Sequence, residues 1–142
     1  MQTFPDFFET QRIKHFVAEE FTSYFHLRRR GVTNSEPPRE LWSNIVPTLR
    51  IVDRLRAELG RPIVILSSYR SPAYNRAIGD AAPKSKHMEF RALDIAVSGY
   101  TPAKVFSLLS QWRANGDFAG GLGLYNTFVH IDTRGSNATW GV

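Results

Sequence analysis

At 142 residues, with 42% hydrophobic and 13% aromatic residues, the chain is the size of one domain and has enough apolar side chains for one core. It contains no cysteine, which excludes a disulfide framework and a thiolate metal cage and leaves His, Asp and Glu to hold any metal. A formal net charge of +5 favours anionic partners such as nucleic acid, acidic lipid or the acidic polymers of a bacterial envelope, without choosing among them.

The N-terminus, Met1 to Glu9, lacks the charged start and uninterrupted apolar stretch of a secretory signal. No run is long enough to span a bilayer, so no membrane insertion is expected. Residues 6–30 mix aromatics with charges, and Phe16, Phe21, Tyr24, Phe25 and Leu27 fit one side of short helical turns that end at Arg28-Arg29-Arg30-Gly31. This reads as a packing arm, with the arginines as a solvated basic turn. Residues 31–38 collect turn formers and breakers and read as a loop.

From Arg39 to Leu59, Leu41, Ile45, Leu49, Val52, Leu55 and Leu59 recur at helical spacing, with Gly60 as the stop. Pro47 inside that run predicts a kink or a broken first turn. Residues 62–68 form a short β-branched apolar run that suits a buried strand. Ser71 and Pro72 then read as the cap and first position of a helix to about Ile78. Ala92 to Val97 reads as a second buried strand. Thr101-Pro102 starts a helix with Val105, Phe106, Leu108, Leu109 and Trp112 on its apolar face, ending near Gly116. After Gly120, Gly121 and Gly123, residues 122–125 and 127–133 read as a hairpin turning near Asn126. Helices followed by strands interleaved with short helices predict a single α+β domain, a small antiparallel sheet with flanking helices.

Within that frame, Ser85-Lys86-His87 is followed by Ala92-Leu93-Asp94 and, further on, by Val129-His130-Ile131-Asp132. Two imidazoles and one carboxylate from separate segments are the ligand count of a catalytic zinc that leaves a fourth position for water. His130 lies in an apolar strand, where an imidazole without a partner carries a desolvation cost. His15 and His26 have no such surroundings and read as structural or solvated.

Together with the run Ser67-Ser68-Tyr69-Arg70-Ser71-Pro72-Ala73-Tyr74-Asn75, these segments resemble the zinc D-Ala-D-Ala carboxypeptidase family of peptidoglycan peptidases over roughly residues 37–133. That family shares its metal geometry with lysostaphin-type endopeptidases and hedgehog domains, and includes phage endolysins and bacterial murein hydrolases. The resemblance implies a catalytic core over 37–133 with residues 1–36 as an N-terminal arm and loop. It also implies His87, Asp94 and His130 as Zn2+ ligands, Ser85 as a supporting or substrate-binding hydroxyl, and Arg70 as a cation near the scissile carbonyl or a substrate carboxylate. The implied partners are peptidoglycan peptides, met at the bacterial cell wall or periplasm, and a monomer is expected.

The chain departs from the family pattern twice. Relatives commonly carry Gly three residues after the first His, where Phe90 stands here, and many place an acidic base shortly before the last His, where Thr127 and Phe128 stand. Asp132 shares a strand face with His130 and is the replacement candidate, either as general base or as an acceptor that orients a ligand; Glu89 is the second candidate base. Tyr69, Tyr74 and Tyr125 are candidates to line a peptide groove. The expected activity is hydrolysis of D-amino-acid-containing peptide bonds by metal-activated water. The rival is a catalytically silent metal-containing binding module. A nucleic-acid module rests on charge alone, because no aromatics interleave with the basic residues and no binding motif stands in the chain.

Overall fold

Side-chain caps fix where the helices begin. The computed structural model describes residues 2–79 and 81–142. Thr3 and Asp6 form a reciprocal capping box on α1 (Phe4–Thr10), Ser71 accepts from the Tyr74 amide at the head of α4 (Pro72–Ala77), and Thr101 accepts from the Lys104 amide at the head of α5 (Pro102–Ala114). The long apolar run after Pro38 divides as Pro47 requires. Arg39–Ile45 is a 3-10 helix, and the α-helix proper, α3, starts at Val46 and runs to Leu59 with Pro47 in its first turn, where the missing N–H costs nothing. Gly60, left-handed at φ 61°, ends it.

The arm is more ordered than a series of helical turns. After α2 (Glu19–Thr22) and a 3-10 turn at Ser23–His26, β1 (Arg28–Arg29) pairs antiparallel with β2 (Val32–Thr33). Arg30 and Gly31 form the two-residue connection, both with positive φ, the geometry of a tight hairpin turn. Part of the segment expected to be loop is therefore strand.

The main sheet has the order β3 (Ile63–Ser67), β4 (Ala92–Val97), β6 (Val129–Asp132), β5 (Gly121–Leu124) and β7 (Ala138–Trp140). Its first four members are antiparallel neighbours, and β7 adds a parallel edge beside β5. The fold is the expected α+β class, with that one parallel edge added.

Alternation divides the sheet into two chemistries. Leu93 and Ile95 of β4, Val129 and Ile131 of β6, and Leu122 of β5 turn into the core, where α5 and the buried stripe of α3 (Leu49, Val52, Leu55) cover them. The opposite face carries one row across all five strands. Ser67 stands opposite Asp94, Asp94 opposite His130, His130 opposite Gly123, and Gly123 opposite Trp140. The arm closes the core from the other end: Phe4, Phe8, Phe21 and Phe25 are buried, Phe4 packs with Phe25, Trp42 and Phe90, and Phe8 packs between Phe4 and Phe21.

Candidate metal centre

His87 is delivered to that row by a 3-10 turn, Lys86–Glu89, whose N-cap Ser85 accepts from the His87 amide. Ser85 thus supports the ligand loop through its hydroxyl and also lines the cleft above the sheet. The turn ends at Phe90, left-handed at φ 55°. Phe90 therefore takes the backbone conformation that glycine adopts freely. Its ring is fully buried against Phe4, Phe25 and Tyr69.

His87, Asp94 and His130 are all buried, and each offers a ligand atom such that all three lie within 4.8 Å of one another. The hydrogen bonds behind the ligands fix which nitrogens face inward. His87 Nδ1 donates to the Ser68 carbonyl at 2.6 Å, which leaves Nε2 bare. That Nε2 lies 3.1 Å from Asp94 Oδ1, close enough for an ion pair, yet it makes no hydrogen bond. His130 pairs Nε2 with Asp132 Oδ2 at 2.8 Å and Nδ1 with the same Asp94 oxygen at 3.1 Å, so Nδ1 is the nitrogen turned toward the cluster. Two imidazole nitrogens and a carboxylate oxygen thus converge on one point, and the His87 nitrogen does so without a hydrogen bond. A buried nitrogen left unsatisfied costs roughly 1–3 kcal/mol, and a cation at the point of convergence removes that cost.

The titration behaviour follows from the same contacts. Burial holds the His87 pKa below the ordinary imidazole value, so this ring is neutral and ready to bind. Burial opposes ionisation of Asp94 as well, but the two imidazoles packed against its carboxylate outweigh it and hold Asp94 far below the usual carboxylate range. For His130 burial is again the opposing influence, and the bonds to Asp132 and Asp94 raise its pKa.

Asp132 is wholly buried and its oxygens are occupied. Besides His130, it accepts from the Gly121 amide at 2.9 Å, from the Arg134 amide at 3.1 Å, and from the Arg134 guanidinium at 3.0 and 2.7 Å. These bonds hold its pKa far below the usual range despite burial. Of the two roles expected for Asp132, general base or acceptor that orients a ligand, these contacts fit the acceptor. Glu89 is likewise engaged, by Lys86 at 2.8 Å and Arg91 at 3.0 Å, and does not line the cleft. Among the described residues, Asp94 is the one carboxylate on the cleft lining.

Arg70 lines the cleft beside the cluster. Its Nη2 lies 3.4 Å from Asp94 Oδ2, Nε donates to Ser67 Oγ at 3.1 Å, and Nη1 reaches Asn75 at 3.4 Å. Tyr69 does not join it. Its ring is buried against Phe90, and burial raises its pKa, so the expected place in a substrate groove is corrected to a place in the core. Tyr74 is buried too. Of the three tyrosines, Tyr125 alone reaches the cleft, stacked on Phe128 at 4.4 Å with its hydroxyl accepting from Trp140 Nε1 at 2.9 Å.

Sequence reading missed Trp140, Arg134, Phe128 and Arg29, all of which line this cleft of about 770 Å3. The signal for Trp140 stood in the glycines. A Cβ at Gly123 would lie 2.3 Å from the Trp140 indole nitrogen, and one at Gly121 would lie 2.5 Å from Asp132 Oδ2. Both positions must be glycine for the indole to lie 5.0 Å from the His130 ring and for Asp132 to sit behind it.

An α+β domain with a buried His-Asp-His cluster at the floor of an open cleft is a metal centre built for access from solvent. A family model described as Peptidase M15 matches residues 14–132, and the chain belongs to that family of zinc D-Ala-D-Ala carboxypeptidase-like proteins. No curated protein and no solved structure matches the chain. Family membership and the cluster together point to a metallopeptidase.

Proposed function

We propose that this protein is a zinc peptidase that hydrolyses D-amino-acid-containing peptide bonds in bacterial peptidoglycan stem peptides or their cross-links. The observation that carries the reading is the bare, buried His87 Nε2 aimed at the same point as Asp94 Oδ1 and His130 Nδ1 in a Peptidase M15 chain. A mixed nitrogen and oxygen donor set without thiolate suits zinc, with His87, Asp94 and His130 as its protein ligands. When bound there, zinc supplies a Lewis acid for the scissile carbonyl and brings a water's pKa towards neutrality.

The remaining work falls to the chain's own groups. Ser68 and Asp132 hold the two imidazoles in the tautomers that present a lone pair. Arg70, fixed by Ser67, Asn75 and Asp94, sets a permanent positive charge at the wall where a carbonyl oxygen or a substrate carboxylate would accumulate negative charge. Trp140, Tyr125 and Phe128 form an apolar wall on the other side of His130 that limits water there.

Isolated peptidoglycan incubated with the purified protein, with and without a zinc chelator, tests this by mass spectrometry of the released fragments. New peptide termini that vanish on chelation and return with zinc are expected, and they name the bond. A second reading has one observation in its favour: among the described residues, no carboxylate free of the ligand cluster lines the cleft to act as a base. A catalytically silent wall-binding module would bind zinc stoichiometrically and leave peptidoglycan of several chemotypes intact.

A further inference from the structure

We propose that the rim of this cleft contains a subsite for substrate carboxylates, built from Arg29 of the N-terminal hairpin and Lys84 of the loop that leads into the His87 turn. The proposal rests on the peptidase reading for its substrate, an acidic peptide, and adds to it a recognition element outside the metal cluster and Arg70.

Among the described residues, the cleft lining carries Arg29, Arg70, Lys84, Lys86 and Arg134 against the single carboxylate of Asp94. Three of these cations are already engaged: Arg70 with Asp94, Lys86 with Glu89 and Arg134 with Asp132. Arg29 and Lys84 are exposed, and among the described residues neither has a carboxylate at ion-pair distance. Two cations facing the same cleft that no described carboxylate engages favour an anion in it, and the field is strongest where the walls exclude water.

The hairpin backbone that carries Arg29 is held in place. The tight turn at Arg30-Gly31 places Arg30 at φ 48°, an uncommon conformation for a residue with a Cβ. The Arg30 guanidinium then lies over Gly79, where a Cβ would come within 2.9 Å of Nη1. Asn34, buried just after β2, donates to the Tyr69 carbonyl at 2.8 Å and accepts from the Ser71 amide at 2.9 Å. It therefore fastens the hairpin to the residues on either side of Arg70. Arg29 and Arg70 are thus held on one scaffold, so the distance from the metal cluster to the rim is fixed. A peptide with one carboxylate or carbonyl at Arg70 and a further carboxylate towards Arg29 and Lys84 matches that arrangement in charge.

The test is equilibrium binding by calorimetry to the zinc-loaded protein. The probes are the stem pentapeptide L-Ala-γ-D-Glu-L-Lys-D-Ala-D-Ala, the same peptide amidated at the D-Glu α-carboxylate or at the C-terminus, and the doubly amidated peptide. The acidic peptide should bind about tenfold or more tightly than the doubly amidated one at low salt. That preference should fall to within about twofold in Arg29→Gln/Lys84→Gln and return in Arg29→Lys/Lys84→Arg, with metal content unchanged throughout. Equal binding of acid and amide forms, no measurable binding of the acidic peptide, or an acid preference that survives the double glutamine variant overturns the subsite. Peptidoglycan digestion fails independently: acid-selective binding without cleavage keeps the subsite and removes the peptidase, and cleavage without acid preference does the reverse.

Discussion

A carboxylate that takes a proton in catalysis needs a lone pair open to the cleft, and Asp132 has its oxygens taken by His130, Arg134 and the Gly121 amide. Its bond to His130 Nε2 fits a carboxylate that orients the ring so that Nδ1 faces Asp94. Asp132→Asn should therefore lower zinc affinity by about 10- to 100-fold, read by competition with a chromophoric chelator. A base would instead leave affinity intact and cost about 10²- to 10⁴-fold in kcat. The pH dependence of metal binding follows from the same pair of imidazoles. Burial keeps His87 neutral, so it offers little competition from protons, whereas Asp132 and Asp94 raise the His130 pKa against the effect of burial. Metal needs Nδ1 bare, so a raised pKa lets protons compete from above the ordinary imidazole value of about 6.5. Apparent zinc affinity should fall as pH drops through that raised value, and chelator competition at about pH 8 and about pH 6 measures it. An affinity that stays flat until below the ordinary value would show that the two carboxylates do not act on His130 as argued.

At the scale of elements, the turn that presents His87 depends on Phe90. A left-handed residue with a Cβ costs roughly 1–2 kcal/mol, which Phe90→Gly would relieve, but removing a fully buried phenyl ring costs about 3–5 kcal/mol. The variant should be destabilised by about 1–4 kcal/mol in urea denaturation. A neutral result would mean that the ring does not hold the turn against the arm. Gly123→Ala acts on the opposite side of the cluster. Its methyl group would strike the Trp140 indole, so the variant should lose the Trp140–Tyr125 hydrogen bond and shift Trp fluorescence, with α3 and α5 unaffected by circular dichroism. These two elements also show what the sequence makes legible. Helices α3 and α5 and strands β3, β4 and β6 follow from local periodicity and caps, and His87, Asp94 and His130 from motif spacing. Strands of two or three residues such as β1, β2 and β7 carry no period to read, because their pairing is set by partners far along the chain. Tyr69 misled for a related reason. Its neighbours Ser68 and Arg70 both serve the site, but it lies beyond the end of β3, where no strand alternation sets its direction, and its ring packs in the core against Phe90.

For the whole molecule, the question is whether residues before the hairpin are an accessory or part of the core. The family match begins at residue 14, which leaves α1 outside it, yet Phe4 is 1% and Phe8 3% exposed. Phe4 packs at 5.6 Å against Phe25, Trp42 and Phe90 alike, so it joins the arm, the 3-10 helix before α3 and the ligand turn in one cluster. Burying an aromatic side chain is worth roughly 1.5–3 kcal/mol, so deleting residues 1–12 removes about 3–6 kcal/mol through these two rings. A domain of this size has only about 5–15 kcal/mol in total, and the deletion should lower the melting temperature by on the order of 10 °C or more. Because Phe90 closes the turn that carries His87, the truncated protein should also bind zinc more weakly at temperatures where it is still folded. A detachable arm would leave both the melting temperature and the zinc affinity where they were. Thermal melts with and without zinc therefore separate an arm that only covers the core from one that holds the metal site in shape.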